Sequence, residues 1–227
     1  LKSEQQIFTD RLQLQKSNSW SGLNLHYSKE VSSPQFTDPV MKNTLELTES
    51  SSLAFRLFDS KGACTRPVNK AIVKVETRQP VALSNTKPGL NVRIYGGKWK
   101  KLPDFERLKP IRQEVAEQFE PVALSGIKEG FGLVFTGFIY AEEEGVYLFA
   151  TTSDDGSKLY IGDDEVVNND GLHSASTEQG FIALAPGYHP IRIEFFERGG
   201  GETLEVLWQK PGSSTLKPLP FSGLVRD

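Results

Sequence analysis

The sequence predicts an all-β fold, a small β-sandwich followed by a larger sandwich or barrel. Three observations predict it. Apolar residues alternate with polar ones in run after run, clusters of Gly, Pro, Asn and Asp separate the runs, and only one stretch has a helical rhythm. At 227 residues the chain exceeds the usual domain of about 100 to 150 residues, so two modest cores are affordable.

The first set of strands lies in residues 1–78. Leu23, Leu25 and Tyr27 alternate with polar neighbours, as do Leu45 with Leu47 and Leu53 with Phe55 and Leu57. Each pattern buries one face of a strand. "SSPQFTDPV" and "DSKG" carry the turn residues between them, and "AIVKV" closes the set. "TRQPVALSNTKPG" then brings two prolines, a glycine and small polar residues, which place a stiff polar linker at 79–88.

From 89 to 227 the runs are more aromatic: "FGLVFTGFIYA", "GVYLFATT", "SKLYI", "EVVN", "GFIAL", "HPIRIEFFE" and "TLEVLWQ". "IRQEVAEQF" is the exception, with Ile111, Val115 and Phe119 four apart in helical spacing. "GGG" at 199–201 precedes a strand rather than a helix, so it reads as a hairpin turn and not a phosphate cradle.

Composition excludes several functions. A net charge of −3 gives no excess of Lys and Arg to track phosphates, so nucleic acid is not expected as a partner. No apolar run approaches the roughly 20 residues that cross a bilayer, and residues 1–19 are too polar for a signal peptide. A chain starting at Leu1 reads as a piece or processed product of something longer. The single Cys64 allows no internal disulfide and reads as a small residue at a turn. His26, His173 and His189 lack metal-ligand spacing, His173 and His189 read as hydrogen-bonded structural histidines, and no GxSxG elbow occurs.

"SDDGSKLYIGDDEVVNNDG", residues 153–171, concentrates aspartate. Ser157–Ile161 and Glu165–Asn168 read as two strands joined by "GDD". Antiparallel pairing brings "SDDG" beside "NNDG", gathering Asp154, Asp155, Asn169 and Asp170. Converging carboxylate and amide oxygens suit a hard cation such as calcium, which takes 6 to 8 oxygen ligands. The same side chains also hold turns by accepting backbone N–H groups. A glycosidase pair is not expected, because neighbours in an extended chain point to opposite faces.

These residues also carry a family resemblance. "SDDGSKLYIGDDEVVNNDGLH" followed by "GFIALAPGYHPIRIEFFERGGGETLEVLWQKPG" resembles the protective-antigen fourteen-kilodalton domain, a β-sandwich or barrel module of bacterial toxins, glycosidases and yeast adhesins. "GLNVRIYGGKWKKLPDFERLKP" is similar to its opening strand and loop, so the resemblance covers about 89–227. It implies a mostly extracytoplasmic module, in whose adhesin branch an Asp-Asp pair and an Asn-bearing loop bind calcium, which in turn holds sugar hydroxyls. Asp154 and Asp155 match the pair, with Asn169 and Asp170 chosen for the second loop. Glu165 stands where the family often has an apolar residue, which bears on local packing. Residues 23–75 resemble the small sandwich near the C-terminus of chitobiase and β-hexosaminidases, although the usual Thr-Asp-Gly-Ser-Glu-Pro turn is replaced by "SKEVSSP".

Together the two resemblances imply the tail of a family-twenty glycoside hydrolase. The function expected is a non-catalytic accessory region of an exported bacterial enzyme, periplasmic, cell-surface or secreted. It would bind a glycan, such as one containing N-acetylhexosamine, or position an upstream catalytic domain. Trp99 and His173, with Asp154 and Asp155, are the sugar-contacting candidates, although Trp99 reads equally as a loop anchor. The alternative is a ligand-free structural spacer or protein-interaction module.

Overall fold

A computed structural model describes residues 6–17, 20–29 and 32–227. The chain divides into two compact units, Leu1–Glu76 and Thr77–Asp227.

In the first unit, β1 (Gln6–Phe8), β2 (Leu12–Gln15), β3 (Leu23–Ser28), β4 (Thr44–Leu47), β5 (Ser51–Asp59) and β6 (Val68–Lys74) form two sheets. One has the order β1-β6-β5-β3, with β1 parallel to β6, and the other is the pair β2-β4. Phe8, Leu47, Leu53 and Ile72 are buried between them, with Leu12, Leu14, Tyr27, Leu45 and Phe55 packed against this core. Fully burying side chains of this kind stabilises by about 1.5–3 kcal/mol each. Asp59 forms the β5 turn by accepting the Lys61 and Ala63 N–H groups.

The second unit contains β7 (Lys87–Pro88), β8 (Leu90–Gly96), β9 (Arg112–Ala116), a one-turn helix α1 (Pro121–Ser125), β10 (Phe131–Ala141), β11 (Gly145–Asp154), β12 (Ser157–Ile161), β13 (Asp164–Asn169), β14 (Ser176–Leu184), β15 (Gly187–Glu197), β16 (Thr203–Gln209), β17 (Lys217–Pro218) and β18 (Leu224–Arg226). One sheet runs β13-β12-β15-β10-β18-β7, with β8 on β10 and β9 on β8; the other runs β14-β11-β16-β17. The inward residues Phe131, Leu133, Phe135, Tyr147, Phe149, Ile193, Phe195 and Trp208 fill the space between the sheets. This is the all-β double sandwich that the alternation predicts.

Residues 79–88, expected as a linker, run along the second unit. The Val81 N–H donates to the Tyr188 carbonyl, and Lys87–Pro88 pairs with β18. The helical spacing of "IRQEVAEQF" is a correction: residues 112–116 are strand β9, and Ile111 and Val115 are exposed. β8 offers an open edge, and pairing along Leu90–Ile94 outweighs a short local periodicity. Phe119 alone of the three faces the core, edge-on to Phe135 at 5.4 Å.

Candidate functional site

The site begins with the hairpin β12–β13. Ser157 pairs with Asn169, and Ser157 also pairs with Phe195 of β15, so the start of β12 lies beside the end of β15. Where β11 ends, Asp154 and Asp155 therefore meet Glu197, the last residue of β15. One carboxylate oxygen from each of the three lies within 4.8 Å of the others. The expectation that Asp154 and Asp155 point apart is thus overturned. Alternation holds only while a strand continues, and β11 stops at Asp154. The Asp154–Asp155 peptide is cis.

The three carboxylates differ in surroundings. Asp155 is buried and its Oδ2 accepts the Arg198 N–H at 2.9 Å. Asp154 is half-buried beside the 198–202 turn, where a side chain on Gly201 would approach its Oδ2 to 3.3 Å. Gly201 therefore leaves no side chain of its own against it. Glu197 is fully buried at 0% exposure, and neither carboxylate oxygen has a hydrogen-bond partner among the described residues. Burial first, then the Asp155 and Asp154 carboxylates, push its pKa up to about 7; the Gly199 N–H pulls the other way without meeting hydrogen-bond geometry.

The second loop is close by but otherwise engaged. The Asn169 side-chain amide donates to Ser153 Oγ and the Ser176 carbonyl, while its Oδ1 accepts from Ser176 Oγ. Asp170 Oδ1 accepts the Leu102 N–H at 2.7 Å, fixing the loop after β8. His173 Nε2 lies 3.0 Å from the Asn169 carbonyl oxygen, and Nδ1 lies 3.1 Å from Ser176 Oγ. Beneath them Ser153, Ser157 and Thr151 join hydroxyl to hydroxyl at 2.8 Å, a buried polar strut under the acidic cluster.

Trp99 packs rather than projects. It is half-buried, edge-on to Phe105 at 6.0 Å, in a cluster with Tyr95, Val134 and Leu102. Gly132, the second residue of β10, makes room for the Phe105–Trp99 pair, since a Cβ there would lie 2.7 Å from the Phe105 ring and 3.2 Å from Trp99. Glu165 is exposed and binds Lys158 Nζ at 2.8 Å, so its departure from an apolar residue leaves the core untouched. His189 is buried with Nε2 2.8 Å from the Ala185 carbonyl oxygen, and burial lowers its pKa. His26 likewise sits 2.7 Å from the Asp38 carbonyl oxygen.

Glu197 was missed by the sequence reading. "FFERGGG" is unremarkable as a strand end, and only pairing with β12 brings it to Asp154. A signal did exist: β15 alternates Ile191, Ile193, Phe195, which puts the acidic Glu197 on the buried face.

An all-β module with an acidic cluster at one end of its sheets is the class that this fold and site define. The sequence model of the PA14 domain matches residues 86–219, and the chain belongs to the PA14 domain family. A β-hexosaminidase of Porphyromonas gingivalis is 25% identical over 230 residues, covering 93% of this chain and 29% of the relative. The chain thus spans less than a third of that relative's length. Among solved structures, the PA14 domain of the MpAFP antifreeze protein superposes with TM-score 0.53 at 20% identity, covering 66% of this chain and 96% of that one. A PA14 sugar-binding domain from an RTX adhesin gives 0.52 at 15% identity, with 62% and 99% covered. No helix among the described residues is long and apolar enough to cross a membrane.

Proposed function

We propose that the chain is a non-catalytic accessory region of an exported bacterial glycoside hydrolase of the β-hexosaminidase kind, and that it binds carbohydrate through a calcium ion. The convergence of Asp154, Asp155 and Glu197 carries this reading, because Glu197 is buried beside two other acids without a hydrogen-bond partner. A buried carboxylate so placed is costly unless a cation compensates it. The donor set is all hard oxygen, which fits calcium and not a soft metal.

Asp154, Asp155 and Glu197 would hold the ion. Bound calcium would supply open coordination positions for sugar hydroxyls. Asp155 is oriented by the Arg198 N–H, and Gly201 puts no side chain against Asp154. Glu197 cannot act as a glycosidase acid from 0% exposure, because a general acid must reach its substrate oxygen. The sugar-binding RTX adhesin domain and the β-hexosaminidase relative support a glycan ligand and an enzymatic parent, and with them an extracytoplasmic location.

Calorimetric titration of calcium into metal-stripped protein tests the reading, followed by a glycan array that includes N-acetylhexosamine-bearing sugars with and without calcium. Micromolar to millimolar binding lost in Asp155→Asn, with calcium-dependent glycan retention, is expected. Absence of both heat and thermal stabilisation by calcium would sink it and leave a ligand-free spacer.

A further inference from the structure

The first unit holds a cleft of about 280 Å³ between the end of β2 and the facing strands β5 and β6. Its floor is apolar, formed by Leu14, Leu25, Met41, Phe55, Leu57 and Val68, with the exposed Trp20 at the side. Four of its lining residues are cations, Lys16, Arg56, Arg66 and Lys70, and none is acidic. In a chain of net charge −3 this is a local reversal of sign.

Among the described residues no carboxylate pairs with these cations. Elsewhere in this unit Arg11 pairs with Glu46 and Lys74 with Glu49. Around the cleft, Lys16, Arg66 and Lys70 have no ion-pair partner among the described residues. Arg56 is held in place by neutral groups, donating to the Thr65 carbonyl at 2.6 Å and to Ser33 Oγ at 3.3 Å, and lying 5.5 Å from the Phe58 ring centre. It alternates with Phe55 and Leu57, so its guanidinium lies with Phe58 on the other face of β5, and the cations left to the cleft are Lys16, Arg66 and Lys70. An apolar recess bordered by a few charged groups is the usual form of a small-ligand site, and at about 280 Å³ this one falls just below the usual size range.

We infer that this cleft binds an anionic amphiphile, an alkyl or aryl body in the apolar floor with a carboxylate, sulfate or phosphate head held by the cations on the floor's side of the strands, Lys16, Arg66 and Lys70. The apolar floor supplies the attraction for the body through area removed from water. The cations select the head and make binding salt-sensitive.

The test is calorimetry of the full chain with decanoate, decyl sulfate and decanol, each below its micellar or solubility limit. Saturable one-to-one binding of both anions is expected, at least tenfold tighter than decanol and weakened by salt. Lys16→Glu with Lys70→Glu should weaken it at least tenfold with the melting temperature retained, and the exposed Arg66→Glu serves if that pair fails to fold. No saturable binding of either anion, or equal binding of decanol and decanoate, would overturn the inference. So would a concentration-dependent dimer abolished by the same substitutions, which would assign the cleft to a second copy of the chain.

Discussion

Replacing Glu197 by glutamine tests the acidic cluster through stability rather than through a ligand. In the folded protein this carboxyl has its pKa raised from 4.5 to about 7. Between those values the native state binds more protons than the unfolded chain, so stability falls as pH rises through the window. Below about pH 4.5 both states are protonated and the penalty vanishes, whereas above about pH 7 it is complete. The displacement sets a ceiling of about 3.5 kcal/mol, at about 1.4 kcal/mol per unit of pKa. For a unit of this size that is about 7–14 °C in melting temperature. In metal-stripped buffer, Glu197→Gln should therefore melt above the parent protein at pH 8 and level with it at pH 4.5, measured by calorimetry. Added calcium at pH 8 should reverse the order, because the ion stabilises only the protein that binds it. If glutamine destabilises equally at both pH values without metal, Glu197 is an ordinary structural partner and the argument from its burial fails.

Asp170→Ala should release the Leu102 N–H and cost about 1 kcal/mol, with faster amide exchange at Leu102. Its calcium affinity should match the parent's, and loss of binding would show that the second loop belongs to the ion shell. Gly180→Val should destabilise by more than about 1–3 kcal/mol in thermal melts, because a Cβ there would overlap the Val166 carbonyl oxygen; an unchanged melting temperature would refute that packing. Glu106 is held at a pKa of about 2 by hydrogen bonds from Arg93 and Arg192. Its stabilising contribution is full above pH 4.5 and lost as pH falls through about 2, so a carboxyl NMR titration with a midpoint near 4.5 would contradict the network.

Much of this protein is legible before folding is considered. Two-residue alternation at Leu23–Tyr27, Leu53–Leu57, Ile191–Phe195 and Leu204–Trp208 marks β3, β5, β15 and β16, because the pleat enforces that period whatever the topology. "LQLQ" held the same signal for β2 and was passed over. The hairpin β12–β13 followed from its turn residues, and with it the nearness of residues 154–156 to 169–171, since a local pairing fixes both ends at once. Partners distant in sequence were not legible. Asp154 and Asp155 meet Glu197 only because β15 lies beside β12, a pairing that no local pattern specifies. The same long-range packing turned "IRQEVAEQF" into strand β9 and folded Trp99 onto Phe105. Sequence by itself determined the strands, their turns and the acidic character of the hairpin, which are properties of adjacent residues. Tertiary structure alone decided which carboxylates share one space and how deeply Glu197 is buried, because desolvation and mutual repulsion depend on neighbours across the fold.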